Sequence, residues 1–168
     1  PEAKDNLLNE GKKEDQIVFV GNTMIDSLVS FEKFFDNKSI LKKLELISKK
    51  YILLTIHRPS NVDDSLKLNE LIKVLNKISE RMPIIWPVHP RTKKMIDSYE
   101  ANLSANIFIT NPIGYLEFMG LQKNAKIIIT DSGGVQEEST YFGVPCFTVR
   151  DNTERPITIS QGTNILAG

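Results

Sequence analysis

The sequence predicts an α/β domain, a Rossmann-like and mostly parallel sheet flanked by helices. Short unbroken apolar runs recur along the 168 residues, and stretches of helical periodicity separate them. Polar residues able to do chemistry follow the ends of those runs. Strands buried on both faces read as unbroken apolar runs. Alternation with helices implies βαβ units, right-handed crossovers and a parallel sheet.

Residues 1–11 read as the end of a helix, closed by Gly11 as a C-cap. Ile17-Val18-Phe19-Val20 reads as a strand, followed by Gly21-Asn22-Thr23 and a helical stretch through about Phe35. The strand Ile52–Ile56 leads into His57-Arg58-Pro59-Ser60-Asn61. A helix is expected from about Ser65 to Glu80, where Leu68, Leu71, Ile72, Leu75 and Ile78 repeat at helical spacing. Asp63 and Asp64 precede it, where carboxylates suit a helix N-terminus. Ile84–Val88 is a strand, followed by His89-Pro90-Arg91-Thr92 and a helix to about Glu100. Ile107–Ile109 is a short strand, followed by a helix near Tyr115–Gln122. Ile127–Thr130 leads into Asp131-Ser132-Gly133-Gly134 and a helix to about Phe142. Cys146–Val149 is the last clear strand.

The bulk properties exclude several classes. The length suits one domain. Lys plus Arg equals Asp plus Glu, giving a formal net charge of zero, which argues against a nucleic-acid partner. Cys146 stands alone, so the chain forms no internal disulfide, and a buried strand thiol is expected. No apolar run approaches the roughly 18 to 20 residues of a membrane span, and no signal peptide is visible. A cytoplasmic setting, with no membrane partner, is the expectation. Two separated histidines and one cysteine make a poor zinc site, and the reading calls for no metal or cofactor. The chain starts Pro1-Glu2-Ala3 and ends Leu166-Ala167-Gly168, which reads as two cuts through a longer protein.

The polar residues mark the site. In a parallel sheet the loops carrying His57-Arg58, His89-Pro90-Arg91, Asp131–Gly134 and Arg150-Asp151 converge on one edge, where such sheets bind ligands. The sharpest motif is Thr130-Asp131-Ser132-Gly133-Gly134-Val135-Gln136-Glu137-Glu138. A strand ends, two glycines let a ligand approach the backbone, and a helix begins. Its free N–H groups and dipole favour an anion such as phosphate, and Ser132 adds a hydroxyl. The alternative is a Ser132-capped helix after a tight turn.

A carboxylate one turn into that helix suits the vicinal diol of a ribose. Glu138 is preferred over Glu137, because it lies beside the inward face. His57 can act as an acid or as a donor to phosphate, and Arg58 beside it strengthens an anion-binding reading. Pro90 gives His89 a possible turn-shaping role. Arg150 and Arg155 can clamp phosphates or pair with Asp151 and Glu154. Phe118 can stack on a base or fill the core. Trp86 reads as core.

Several segments in order resemble the UDP-N-acetylglucosamine 2-epimerases of the non-hydrolysing kind. They are Gly21–Asp26, Thr55–Asp63, Pro87–Arg91, Thr130–Glu138, Arg150–Pro156 and Gly162–Asn164. The resemblance implies the second of two Rossmann-like domains facing across a cleft, as in the GT-B glycosyltransferases. It places Ser132, Gly133 and Gly134 on the diphosphate, Glu138 on the ribose, and Phe118 with backbone near Ile113 on the uracil. His57 becomes the catalytic candidate and, with Arg155, lines the diphosphate. Arg58, His89, Arg150 and Glu137 are supporting candidates.

The implied reaction interconverts UDP-GlcNAc and UDP-ManNAc by elimination and re-addition of UDP, in cell-surface polysaccharide biosynthesis. The implied full-length enzyme is a homodimer, and proton removal falls to carboxylates of a first domain. The chain alone is expected to hold UDP without turnover. The alternatives are a GT-B glycosyltransferase, a hydrolysing epimerase, and a UDP-binding module without activity.

Overall fold

The computed structural model describes residues 2–35, 37–99 and 101–168. Six parallel strands form one sheet in the order β3-β2-β1-β4-β5-β6. They are β1 (Ile52–Thr55), β2 (Ile84–Pro87), β3 (Ile107–Thr110), β4 (Ile127–Thr130), β5 (Cys146–Thr148) and β6 (Asn164–Leu166). The helices are α1 (Glu2–Asn9), α2 (Thr23–Phe31), α3 (Asn37–Lys43), α4 (Pro59–Val62) and α5 (Ser65–Ser79). They continue as α6 (Pro90–Ser98), α7 (Tyr115–Asn124), α8 (Gly133–Tyr141) and α9 (Pro156–Ser160).

Alternate strand residues serve opposite layers, as the period of two requires. Ile52, Leu54 and Ile56 join Leu68, Ile72 and Leu75 of α5, Ile96 of α6, and the fully buried Trp86 in one core cluster. Leu53, Ile85, Ile128 and Cys146 face the other way, onto Ile40 of α3, Leu121 of α7 and Val135 of α8. The cysteine is therefore the buried strand thiol expected of it. Asp64 caps α5, its carboxylate accepting from the N–H groups of Leu66 and Lys67, while Asp63 pairs instead with Arg91 at 2.6 Å. After α1 the chain turns through Gly11 at φ +83°, a conformation that only glycine adopts without strain.

Two expectations need correction. Ile17–Val20 forms no strand. Val18, Phe19 and Val20 are 76%, 76% and 67% exposed, and the run joins no ladder of the sheet. β propensity supplies apolar side chains but not a neighbour to pair with, and pairing is what makes a strand. Second, β5 is not the last strand. β6 follows it through α9, with Asn164 paired to Cys146. The helix expected to about Glu100 is α6, described through Ser98; Glu100 itself lies outside the described residues.

The layers are unequal. The α5 side of β4 and β5 carries an open apolar trough of about 980 Å³, walled by Ile127, Ile129, Phe147 and Val149 on the sheet and by Leu71, Val74 and Ile78 on α5. No helix among the described residues is long and apolar enough to cross a membrane.

Candidate functional site

The chain order reverses direction between β1 and β4. From β1 it winds outward through β2 to β3, and from β4 outward through β5 to β6. Loops leaving the carboxyl ends of two such strands diverge to opposite faces and open a crevice, the usual ligand position in open α/β sheets. The loops here are His57–Asn61 and Asp131–Gly134.

Asp131 binds the two loops together. It is fully buried. Its carboxylate accepts the backbone N–H groups of His57 (3.1 Å) and Arg58 (2.8 Å) and the Asn61 side-chain amide (3.0 Å). His57 Nδ1 lies 3.3 Å from Asp131 Oδ1, which turns the other ring nitrogen, Nε2, away from the core. The Arg58 guanidinium donates back to the Asp131 carbonyl at 2.9 Å and reaches Glu154 at 3.2 Å.

Ser132 is the N-cap of α8, but its side chain makes no capping hydrogen bond. The hydroxyl therefore does not serve the helix in the way the purely structural alternative requires. Val135 N–H and its predecessors begin α8 at the crevice, with Gly133 and Gly134 at the first two helical positions. A Cβ on Gly134 would lie 2.8 Å from the Met24 side-chain tip, and one on Gly133 would lie 3.6 Å from Glu154 Oε2. A side chain at Gly134 would therefore have to displace the Met24 tip, whereas one at Gly133 would meet only ordinary contacts.

Glu137 and Glu138, adjacent in sequence, part company in space. Glu137 accepts from the Asn22 amide at 2.8 Å and lies 3.2 Å from Arg155 Nε. Glu138 is turned inward, only 7% exposed, and accepts from Gln122 of α7 at 2.6 Å. Burial raises the Glu138 pKa. The Gln122 hydrogen bond works against that, and the Glu137 charge adds to it.

Arg150 donates to both carboxylate oxygens of Glu154, at 2.6 and 2.9 Å. That hydrogen bonding is the main cause holding the Glu154 carboxyl down, to about 2. Arg150 is thus engaged with Glu154 as the ion-pair alternative foresaw, while Asp151 takes no part in the pair. Thr153 donates to Gln136 Oε1 and accepts from the Arg155 N–H at 2.9 Å, so α8 fixes the loop that presents Arg155.

His57, His89, Ile113 and half-buried Phe118 line one cavity of about 320 Å³ between the ends of β1, β2 and β3. His89 also caps α6, its Nδ1 accepting from Arg91 N–H at 3.3 Å. Phe118 packs against the cluster of Leu53, Ile128 and Val135 and against a smaller one of Leu28, Phe35 and Met119, while lining this cavity. Ser132, Gly133, Gly134 and Glu138 do not line it; they sit on the neighbouring α8, joined to it through the Asp131–His57 contact. Among the described residues no group of three or more His, Cys, Asp or Glu side chains could hold a metal ion.

A sequence model of the family described as UDP-N-acetylglucosamine 2-epimerase matches residues 1–168. The chain belongs to that family. It is 45% identical, over 99% of its own length and 48% of the relative's, to a UDP-N-acetylglucosamine 2-epimerase of Methanococcus maripaludis. It is 39% identical, over 99% and 46%, to a UDP-2,3-diacetamido-2,3-dideoxy-D-glucuronate 2-epimerase of Pseudomonas aeruginosa. Among solved structures it resembles the Methanocaldococcus jannaschii UDP-GlcNAc 2-epimerase in complex with UDP-GlcNAc and UDP. That likeness has a TM-score of 0.90 and 43% identity, and covers 99% of this chain and 48% of the other. The chain thus spans about half the length of the epimerases it matches.

Sequence reasoning missed four residues that shape the site. Asp131 was read only as part of a turn, yet it is the junction of both loops. Gln122, Asn22 and Gln136 act from other elements or from the far side of α8, and spacing along one segment does not reveal them.

Proposed function

We propose that this chain is the UDP-holding part of a UDP-N-acetylglucosamine 2-epimerase, acting in a full-length enzyme that exchanges UDP-GlcNAc and UDP-ManNAc. The observation that carries the reading is the start of α8 at the reversal point of the sheet. Backbone N–H groups, an uncommitted Ser132 hydroxyl and a glycine-lined approach together suit a diphosphate. Glu138, one turn deeper, accepts from the ribose. Phe118 and the backbone near Ile113 border the uracil, and Arg155 flanks the phosphates.

In the elimination step the electrons of the sugar C2–H bond form the C1=C2 double bond, and those of the C1–O bond leave with UDP. Re-addition reverses this after a proton returns to the opposite face. Charge grows on the departing diphosphate, and fixed donors aimed at growing charge are the strongest catalytic contribution available to a rigid site. His57, with Nδ1–H facing Asp131, supplies one such donor at Nε2 in its doubly protonated form, and the α8 N-terminus supplies the others. The carboxylates that move the C2 proton belong to the first domain of the full-length protein. The relatives named above share UDP and the 2-epimerase reaction but differ in the sugar, which supports a chain that reads the nucleotide rather than the sugar. The same reading makes the enzyme a cytoplasmic homodimer.

Titration calorimetry with UDP on this chain tests the cradle. Glu138→Ala should weaken binding about 10- to 100-fold, the worth of a hydrogen bond to a charged group, and Ser132→Ala should weaken it less. An epimerisation assay should show turnover for the full-length protein and none for the chain alone. A folded chain that ignores UDP, or binding indifferent to both substitutions, overturns the reading.

A further inference from the structure

Gln122 of α7 is wholly buried. One of its amide hydrogens goes to Glu138 Oε2 at 2.6 Å, and its nitrogen lies 3.7 Å from the Met119 sulfur. Its own carbonyl oxygen is sealed in the core without a hydrogen-bond partner among the described residues. An amide that leaves its acceptor unpaired destabilises a fold, since buried polar atoms are almost always paired. An apolar side chain of similar volume would pack there without that cost. What Gln122 provides, and an apolar residue could not, is a donor to the Glu138 carboxylate. With Oε2 held from α7, Oε1 is the oxygen left without a protein donor among the described residues, and it is not sealed in the core.

We propose that Gln122 is a positioning residue that sets nucleotide specificity, holding the Glu138 carboxylate so that its free oxygen meets the ribose 2′-hydroxyl and the site separates ribo- from 2′-deoxyribonucleoside diphosphates. The inference rests on the reading of Glu138 as the ribose acceptor. Burial works against the ionised carboxylate and the Gln122 hydrogen bond favours it, so the same contact that aims the group also favours its acceptor form.

The test is calorimetry with UDP and 2′-deoxy-UDP on wild type, Gln122→Met and Gln122→Glu. Wild type should prefer UDP by about ten-fold or more, the worth of one charged hydrogen bond. Gln122→Met fills the volume without a donor. It should bring the preference down several-fold by weakening UDP while 2′-deoxy-UDP binds nearly as before. A purely structural role would weaken both nucleotides alike. An unchanged preference in Gln122→Met overturns the inference and leaves the Glu138 reading standing. A wild type with no preference also overturns the inference, and the Glu138→Ala titration decides the ribose reading separately. Gln122→Glu keeps the shape and sets a second carboxyl against Glu138, so that the pair shares one proton and Glu138 is no longer a fully charged acceptor for the ribose. Should Gln122→Met fail to fold, collapse or persistence of the preference in Gln122→Glu decides the matter.

Discussion

Glu138, the proposed ribose acceptor, carries a charge that burdens the fold. Burial raises its pKa above that of the unfolded chain, so the folded state binds the proton more tightly. The stability linked to that proton is fully present below the unfolded value and is lost as pH rises through the folded one. Glu138→Gln removes the penalty. It should therefore raise the thermal midpoint over wild type at pH 8, with the advantage shrinking toward pH 4, while weakening UDP binding. Melts across that range, paired with calorimetry, check both signs, and an advantage that grew toward acid pH would contradict the assignment. Glu138 was legible in the sequence because its spacing from Val135 and Phe142 sets its direction on the helix. Gln122 was not, because its partner lies on another helix, and packing of helix on helix is invisible to periodicity within either one.

At the scale of elements, α8 does more than offer its first turn. Its Gln136 is wholly buried and receives Thr153 and Asn164 on one carbonyl oxygen. Asn164 in turn accepts from Thr148 of β5 at 2.6 Å. The helix whose first turn opens at the crevice thereby also anchors β6 and the Arg155 loop. Gln136→Leu keeps the volume but strands two donors, at a cost of about 1–3 kcal/mol. Amide exchange at residues 150–156 should quicken in that variant while β1 and β2 stay protected, and equal protection throughout would show the loop to be held by other contacts. The longer elements could be read from apolar runs because β1, β2 and β4 are buried on both faces. β6 escaped notice because it is three residues long and carries this buried asparagine, whose value comes from Gln136 and Thr148 rather than from its neighbours in sequence. The opposite error at Ile17–Val20 has the same root, since a pattern reports what a segment could pair with but not whether a partner is there.

At the scale of the whole molecule, two apolar areas lie open: the Val18–Val20 run and the trough beside α5. Contiguous apolar surface of this kind is uncommon on isolated soluble domains and mediates association or captures apolar probes. The chain should therefore enhance the fluorescence of an environment-sensitive naphthalene dye while keeping the near-ultraviolet dichroism of its buried Trp86. The double substitution Val18→Ser with Phe19→Ser should reduce the signal. A dye response from a chain without tertiary dichroism would instead report loose packing.

The reversal of the sheet between β1 and β4 has a consequence in time as well as in space. His57 and Asp131, which meet across it, are 74 residues apart in sequence. Closing so long a loop costs entropy before any contact repays it, and topologies rich in such distant pairings fold slowly. The crevice has no local precursor. Among the described residues no hairpin or single βαβ unit contains both of its walls, so on the proposed reading a partly folded chain has nowhere to hold the nucleotide. A ligand spanning the two loops recognises only the completed sheet, and by mass action it protects that state. On the proposed reading, bound nucleotide would therefore report a chain whose sheet is complete.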